Sequence, residues 1–190
     1  MTMDLIDIVS SLEQNEELHL ARLLVLLNAF MKKDASAVEG ITKLAKLDFL
    51  LRYPSYFEAA LEKRGVQRAK LQVADFERKS IEATMVRYRF GPWDHRYRRF
   101  LNNLAARGFV SFKVEGRKIS IDLTDSGVAI AETLSKQAEF EQLVFRSSML
   151  ARHLDLSATK LMNFIYDTFP ELNSMQLNDE IDATGLIGEN

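Results

Sequence analysis

The residues best suited to chemistry in this chain are arginines set among aromatic rings, in the stretch "RYRFGPWDHRYRR" at residues 87–99. Guanidinium groups hold phosphates or carboxylates in a fixed fork, and rings between them offer stacking surface. Arg107, Lys113, Arg117 and Lys118 continue the same sign. Nine basic residues thus stand against Asp94 and Glu115 between Arg87 and Lys118, a local balance of +7 in a chain whose net charge is −2. Phe169–Asn190 carries five acidic residues and no Lys or Arg. An anionic partner is therefore to be sought at the basic block.

Other chemistries find little support. His19, His95 and His153 are scattered, and none has a second histidine or a carboxylate at metal-ligand spacing. There is no phosphate loop, no dinucleotide fingerprint and no nucleophile elbow. The absence of cysteine excludes a disulfide framework, thiolate metal sites and a cysteine nucleophile. The Asp122/Asp125 pair sits at a strand-to-helix junction, where capping is the ordinary explanation. No catalytic residue, metal or cofactor is expected, and the chain reads as a non-enzyme.

The elements that must position the basic block follow from periodicity. A length of 190 residues with 47% hydrophobic and 27% charged residues allows a sizeable core in one ordinary domain with helical extensions. Leu5, Ile8, Val9 and Leu12 form one stripe of a helix over 3–13. Residues 16–32 are apolar almost all round, interrupted mainly by His19, Arg22 and Asn28. Such a helix must be covered by its own domain or by another subunit, and Leu20, Leu23, Leu24 and Leu27 are its candidate partner interface. It is too short to span a bilayer, and the N-terminus has no basic region before its apolar residues. The expected protein is soluble, cytoplasmic and without a membrane partner.

Asp34 and Ser36 break this helix. "AVEGITKLAKLDFLLRYP" is a third helix, with Ile41, Leu44, Leu47, Leu50 and Leu51 inward and Pro54 ending it. "SYFEAALEKRG" is a short helix stopped by Gly65, and the residues after it are a connector. "IEATMVRYRF" reads as helical again up to Gly91-Pro92. Gly91, Pro92, Trp93 and Asp94 then form a structural turn, in which Trp93 locks onto the core and Asp94 caps the next helix.

That helix is "HRYRRFLNNLAARG". Tyr97, Leu101 and Leu104 share one face with Phe100 at its margin; Arg96, Arg99, Asn103 and Arg107 share the other. In "FVSFKVEGRKISIDLT" the period changes to 2, which predicts a β-hairpin with its turn at "EGRK". Thr124 caps a helix to about Lys136, two more follow at about 139–152 and 158–169, and Ser157 caps the second. Residues 173–190 read as an acidic tail.

The order helix, helix, turn, helix, hairpin is that of a winged helix-turn-helix. The expected fold is mainly α with one small β-hairpin. It divides into an N-terminal helical extension (1–34), a winged-helix domain (35–138), C-terminal helices (139–172) and the tail (173–190). "HRYRRFLNNLAARG" takes the recognition-helix position and "KVEGRKI" the wing tip. Arg87, Arg89, Arg96, Arg99, Asn103, Arg107, Lys113, Arg117 and Lys118 then form one positive surface. Three readings of it stand open: contact with DNA backbone, contact with an acidic protein partner, or a solvated face.

"MVRYRFGPWDHRYRRFLNNLAARGFV", the hairpin, "TDSGVAIAETL" and "SATKLMNFIYDTFPEL" resemble the middle component of three-component ABC-ATPase conflict systems, the group that includes Lamassu-type anti-phage and anti-plasmid operons. The resemblance covers roughly residues 38–172, and "RYRFGPWD" and "LMNFIYDTFPEL" are its most specific pieces. It implies a small non-enzymatic subunit that bridges or regulates an SMC-like ATPase and an effector nuclease, close to the DNA that the ATPase senses. Non-specific double-stranded DNA and a second copy of the chain, as a homodimer, are further candidate partners. It also implies that Arg87–Asp94 is a structural signature. The alternative is an autonomous winged-helix transcription regulator that dimerises and reads an operator.

Overall fold

Leucines at nearly every turn of residues 16–34 leave that segment no broad polar face, and it runs through the interior as helix α1 (Glu16–Asp34). The computed structural model describes residues 16–34, 37–82, 84–116 and 118–183. The helix expected over 3–13, the Ser36 break and Arg117 lie outside them. Leu20, Leu23, Leu24 and Leu27 are each at most 3% exposed. They are covered by this chain itself, mainly by α5 (Asp125–Ser135) and α6 (Glu141–Leu154). The expected partner interface is thus core.

After α1 come a short strand β1 (Val38–Glu39), α2 (Ile41–Arg52) and α3 (Pro54–Lys63). Pro54 cannot continue α2 but suits the first turn of α3, so one residue ends one helix and opens the next. The connector after Gly65 contains two 3-10 turns, at Arg68–Lys70 and Glu77–Lys79. Next are β2 (Met85–Tyr88), β3 (Gly91–Trp93), α4 (Tyr97–Ala106), β4 (Val110–Glu115) and β5 (Lys118–Leu123). Past α5 and α6 the chain forms α7 (Ala158–Thr168), α8 (Glu171–Ser174) and β6 (Glu180–Ile181). The chain is mostly helical, with two small antiparallel sheets of order β1-β5-β4 and β3-β2-β6.

Where the sequence suggested a helix at "IEATMVRYRF", the structure has a hairpin. Val86 faces Trp93, Arg87 faces Pro92 and Tyr88 faces Gly91, with Arg89 and Phe90 as the two-residue turn. β-branched and aromatic residues favour this, and Gly91 accepts φ +118°. Gly91, Pro92 and Trp93 are therefore strand residues, not a helix-breaking turn. Residues 173–190 are not a free tail as far as they are described. Ile181 and Ala183 are buried, and β6 pairs with β2 through Met85↔Ile181 and Val86↔Glu180.

The β4–β5 hairpin forms in the expected place, with Val110↔Leu123, Phe112↔Ile121 and Val114↔Ile119 opposed. Only its base is core: Val110 and Ile121 are buried, whereas Val114 is 68% exposed, and Phe112 and Ile119 are also open to solvent. Thr124 Oγ1 accepts from Gly127 N at 3.1 Å and caps α5, and Ser157 caps α7. One buried cluster runs from Leu20 to Ile181, so segments 1–34, 139–172 and 173–190, where described, share a core with 35–138.

Candidate functional site

Beneath the basic block lies a buried chain of opposite charges. Asp48 and Arg52 stand one turn apart on the inner side of α2, and Arg52 Nε donates to Asp48 Oδ2 at 2.9 Å. Arg22 of α1 donates to Asp48 Oδ1, and Tyr97 of α4 donates its hydroxyl to Asp48 Oδ2. Arg52 Nη1 reaches Asp94 Oδ2 at 2.8 Å, and Asp94 also accepts from Arg96 Nη2 at 2.8 Å and from the Arg96 backbone N–H. Asp48 and Arg52 are fully buried. Burial opposes charge on Asp48, but the guanidiniums of Arg22 and Arg52 outweigh it and hold its pKa at about 2. Burial likewise opposes charge on Asp94, yet Arg96 and Arg52 hold its carboxyl well below the usual range. Burial beside Asp48 pushes the Tyr97 hydroxyl far up. Asp94 is therefore not the expected cap, since Arg96 holds the N-cap position of α4 with no side-chain cap hydrogen bond; Asp94 instead fixes the start of α4 to α2 through charge.

The arginine face of α4 is spent inside the chain. Arg99 Nε lies 3.2 Å from Glu16 Oε2, and Asn103 Nδ2 donates to Glu16 Oε1 at 2.9 Å. Arg107 forks onto Glu17 at 2.6 and 2.9 Å and onto Asn103 Oδ1 at 2.8 Å. The Arg107 fork on Glu17 holds that carboxyl below its usual range. On the hairpin, Lys113 pairs with Asp122 at 3.1 Å and Lys118 with Glu39 at 3.7 Å. The residues expected on one positive surface do lie on adjoining elements, but their charges are matched by carboxylates of α1, β1 and β5. The sequence contained that signal in Glu16-Glu17, with no local cue to the residues they would meet.

Arg87 and Arg89 diverge from this face. Arg87 turns inward, donates from Nε to the Leu172 carbonyl at 2.6 Å and lies 5.3 Å from the Tyr166 ring centroid. Arg89 is exposed at the hairpin turn. Trp93 is half-buried, stacked on Tyr88 at 5.9 Å and tilted against Tyr97 at 5.3 Å, so it joins hairpin to core without being fully enclosed.

The same hairpin roofs a cavity of about 430 Å³, walled by Tyr88, Phe90, Trp93 and His95, with Lys46 and Arg98 supplying charge. The side chain of Lys46 lies under Gly91: a Cβ there would stand 3.3 Å from its Cε. Lys46 is 2% exposed, and its Nζ donates to the Thr42 carbonyl at 3.1 Å. Burial, with no acidic partner among the described residues, lowers its pKa to about 8. Sequence periodicity passes over Lys46, because a lone lysine on an amphipathic helix reads as solvated. Among the described residues, no group of three or more His, Asp or Glu is placed to hold a metal ion, and no helix is long and apolar enough to cross a membrane.

Comparison with family models, with curated proteins and with solved structures returns no match.

Proposed function

We propose that this chain is a non-enzymatic winged-helix subunit that joins an SMC-like ATPase to an effector nuclease in a Lamassu-type defence complex, working through protein contacts. In this reading α1, β1, α2, α4, β4 and β5 are the winged helix. Residues 53–96 are an insertion between its second helix and its recognition helix, and β4–β5 is the wing.

The carrying observation is how the wing and recognition helix use their side chains. Arg99, Asn103 and Arg107 are paired with α1 carboxylates and Lys113 and Lys118 with their own neighbours, while Phe112, Val114 and Ile119 face solvent. A helix that reads bases needs free donors in the major groove. A wing with exposed apolar residues suits a protein surface better. The two segments that carry the resemblance also meet in space, through the Arg87–Leu172 hydrogen bond.

Co-expression with an SMC-like coiled-coil ATPase from a neighbouring gene tests the proposal, and the absence of such a gene counts against it. The wild type should co-purify, and Val114→Asp should fold but fail to assemble. DNA binding by the isolated chain should be weak, indifferent to sequence and steeply salt-dependent. A symmetric dimer that holds one palindromic duplex tightly without other subunits would establish the transcription regulator instead.

A further inference from the structure

We infer that the cavity between α2, α4 and the β2–β3 hairpin is a binding site for a nucleoside monophosphate unit, its phosphate on Lys46 and Arg98 and its base against Tyr88 and Phe90. This assignment is independent of the assembly role proposed above.

Charge supplies the first argument. Lys46 and Arg98 come from different helices and line one cavity, and no carboxylate lines it with them. Around it, Arg52 and Arg96 share Asp94, while Arg99 and Arg107 are paired with Glu16 and Glu17. Folding thus matches these four cations and leaves Lys46 and Arg98, with Arg89 at the exposed hairpin turn, without an acid among the described residues. A buried ammonium with only a helix carbonyl for company is costly. A ligand anion relieves that cost, and a phosphate monoester, at nearly two negative charges, suits two cations lining one cavity.

The second argument is the wall. Tyr88 is 39% exposed and Phe90 50% exposed, beside the stacked Tyr88–Trp93 pair. Large rings left open beside a cation site present flat faces to a ligand, and base–aromatic stacking is tolerant of which base is offered. The cavity volume falls within the range of about 300–1,000 Å³ for small-molecule sites. Gly91 is what keeps the floor open, since a side chain there would press on Lys46.

Trp93 is the only tryptophan, so its emission reports on this wall. The test titrates the full chain with AMP, GMP, CMP, UMP, adenosine, inorganic phosphate, phenyl phosphate and a 5′-phosphorylated oligo(dT), by Trp93 fluorescence and calorimetry. Mononucleotides should bind saturably, and adenosine and inorganic phosphate should each be weaker by about tenfold or more. Arg98→Ala, Phe90→Ala and Lys46→Met should each weaken binding by about tenfold with unchanged circular dichroism. Equal binding of the oligonucleotide and the mononucleotides also supports the site, and tighter oligonucleotide binding makes a strand end its natural source. No saturable binding of any nucleotide overturns the inference. So does phosphate or phenyl phosphate binding as tightly as AMP, or an affinity unmoved by both Arg98→Ala and Phe90→Ala.

Discussion

Arg52 Nη1 donates to Asp94 Oδ2 at 2.8 Å, and neither side chain is more than 5% exposed. The contact ties the end of α2 to the start of α4, and Asp48 extends it to Arg22 on α1. Removing one member leaves the others charged in a dry site. Asp94→Ala should therefore cost about 3–5 kcal/mol in urea unfolding. Arg96→Ala removes a partner that is itself 32% exposed and should move the midpoint far less. Equal losses from the two variants would reduce Asp94 to a local partner of Arg96.

The same chain sets the acid limit of the fold. Asp48 has its pKa held at about 2 against an ordinary 3.8, so it is charged in the folded state at pH values where the unfolded chain has taken up a proton. Its contribution is complete above about pH 4 and is lost as pH falls through 2, a change of about 2 kcal/mol. Equilibrium unfolding from pH 5 to 2 should show this loss, and Asp48→Asn, destabilised throughout, should lack that segment of the curve.

These ion pairs mark where the sequence stops being readable. Local rules placed the Thr124 and Ser157 caps, the Pro54 boundary and the β4–β5 hairpin, because a few neighbouring residues settle each. The β2–β3 hairpin was hidden because Met85–Tyr88 is short and gains its strand character from Gly91–Trp93 and from Ile181, far along the chain. Ile181 and Ala183 are lone apolar residues in an acidic stretch, and their burial is a tertiary fact. The arginine periodicity of α4 was legible. Its neutralisation by Glu16 and Glu17, nearly ninety positions earlier, was not.

Leu24 separates core from interface. It is 3% exposed within the isolated chain, so Leu24→Arg places a charge in the interior and should abolish folding of the protein alone. Arg107, on the surface nearby, can be changed to Ala with the denaturation midpoint essentially unmoved. A soluble, cooperatively unfolding Leu24→Arg protein would return α1 to the role of an assembly surface.

Gly127 sets propensity against packing. In the first turn of α5, alanine should be better than glycine by about 1 kcal/mol on helix propensity alone. A Cβ at this position, however, would stand 2.0 Å from the Phe109 carbonyl oxygen, which also accepts from Thr124 N at 3.0 Å. Backbone must shift to admit it, so Gly127→Ala should destabilise by about 1–3 kcal/mol. Thermal unfolding decides the sign, and a raised midpoint would mean that α5 can slide from β4 at no cost.

Lys46 gives an opposite signature at alkaline pH. Burial lowers its pKa to about 8 from an ordinary 10.5, so between these values the unfolded chain binds the proton that the folded chain has released. Stability from this residue therefore rises with pH across that window, by about 3 kcal/mol in full. Tyrosine ionisation acts in the other direction near the top of the range and is common to wild type and Lys46→Met. The difference between their unfolding free energies should thus shift in favour of wild type from pH 7.5 to 10. Nucleotide binding should weaken over the same interval, because the neutral amine no longer attracts phosphate. A stability difference that stays flat would mean that Lys46 keeps its proton, held by a countercharge, and that the cavity is not short of an anion.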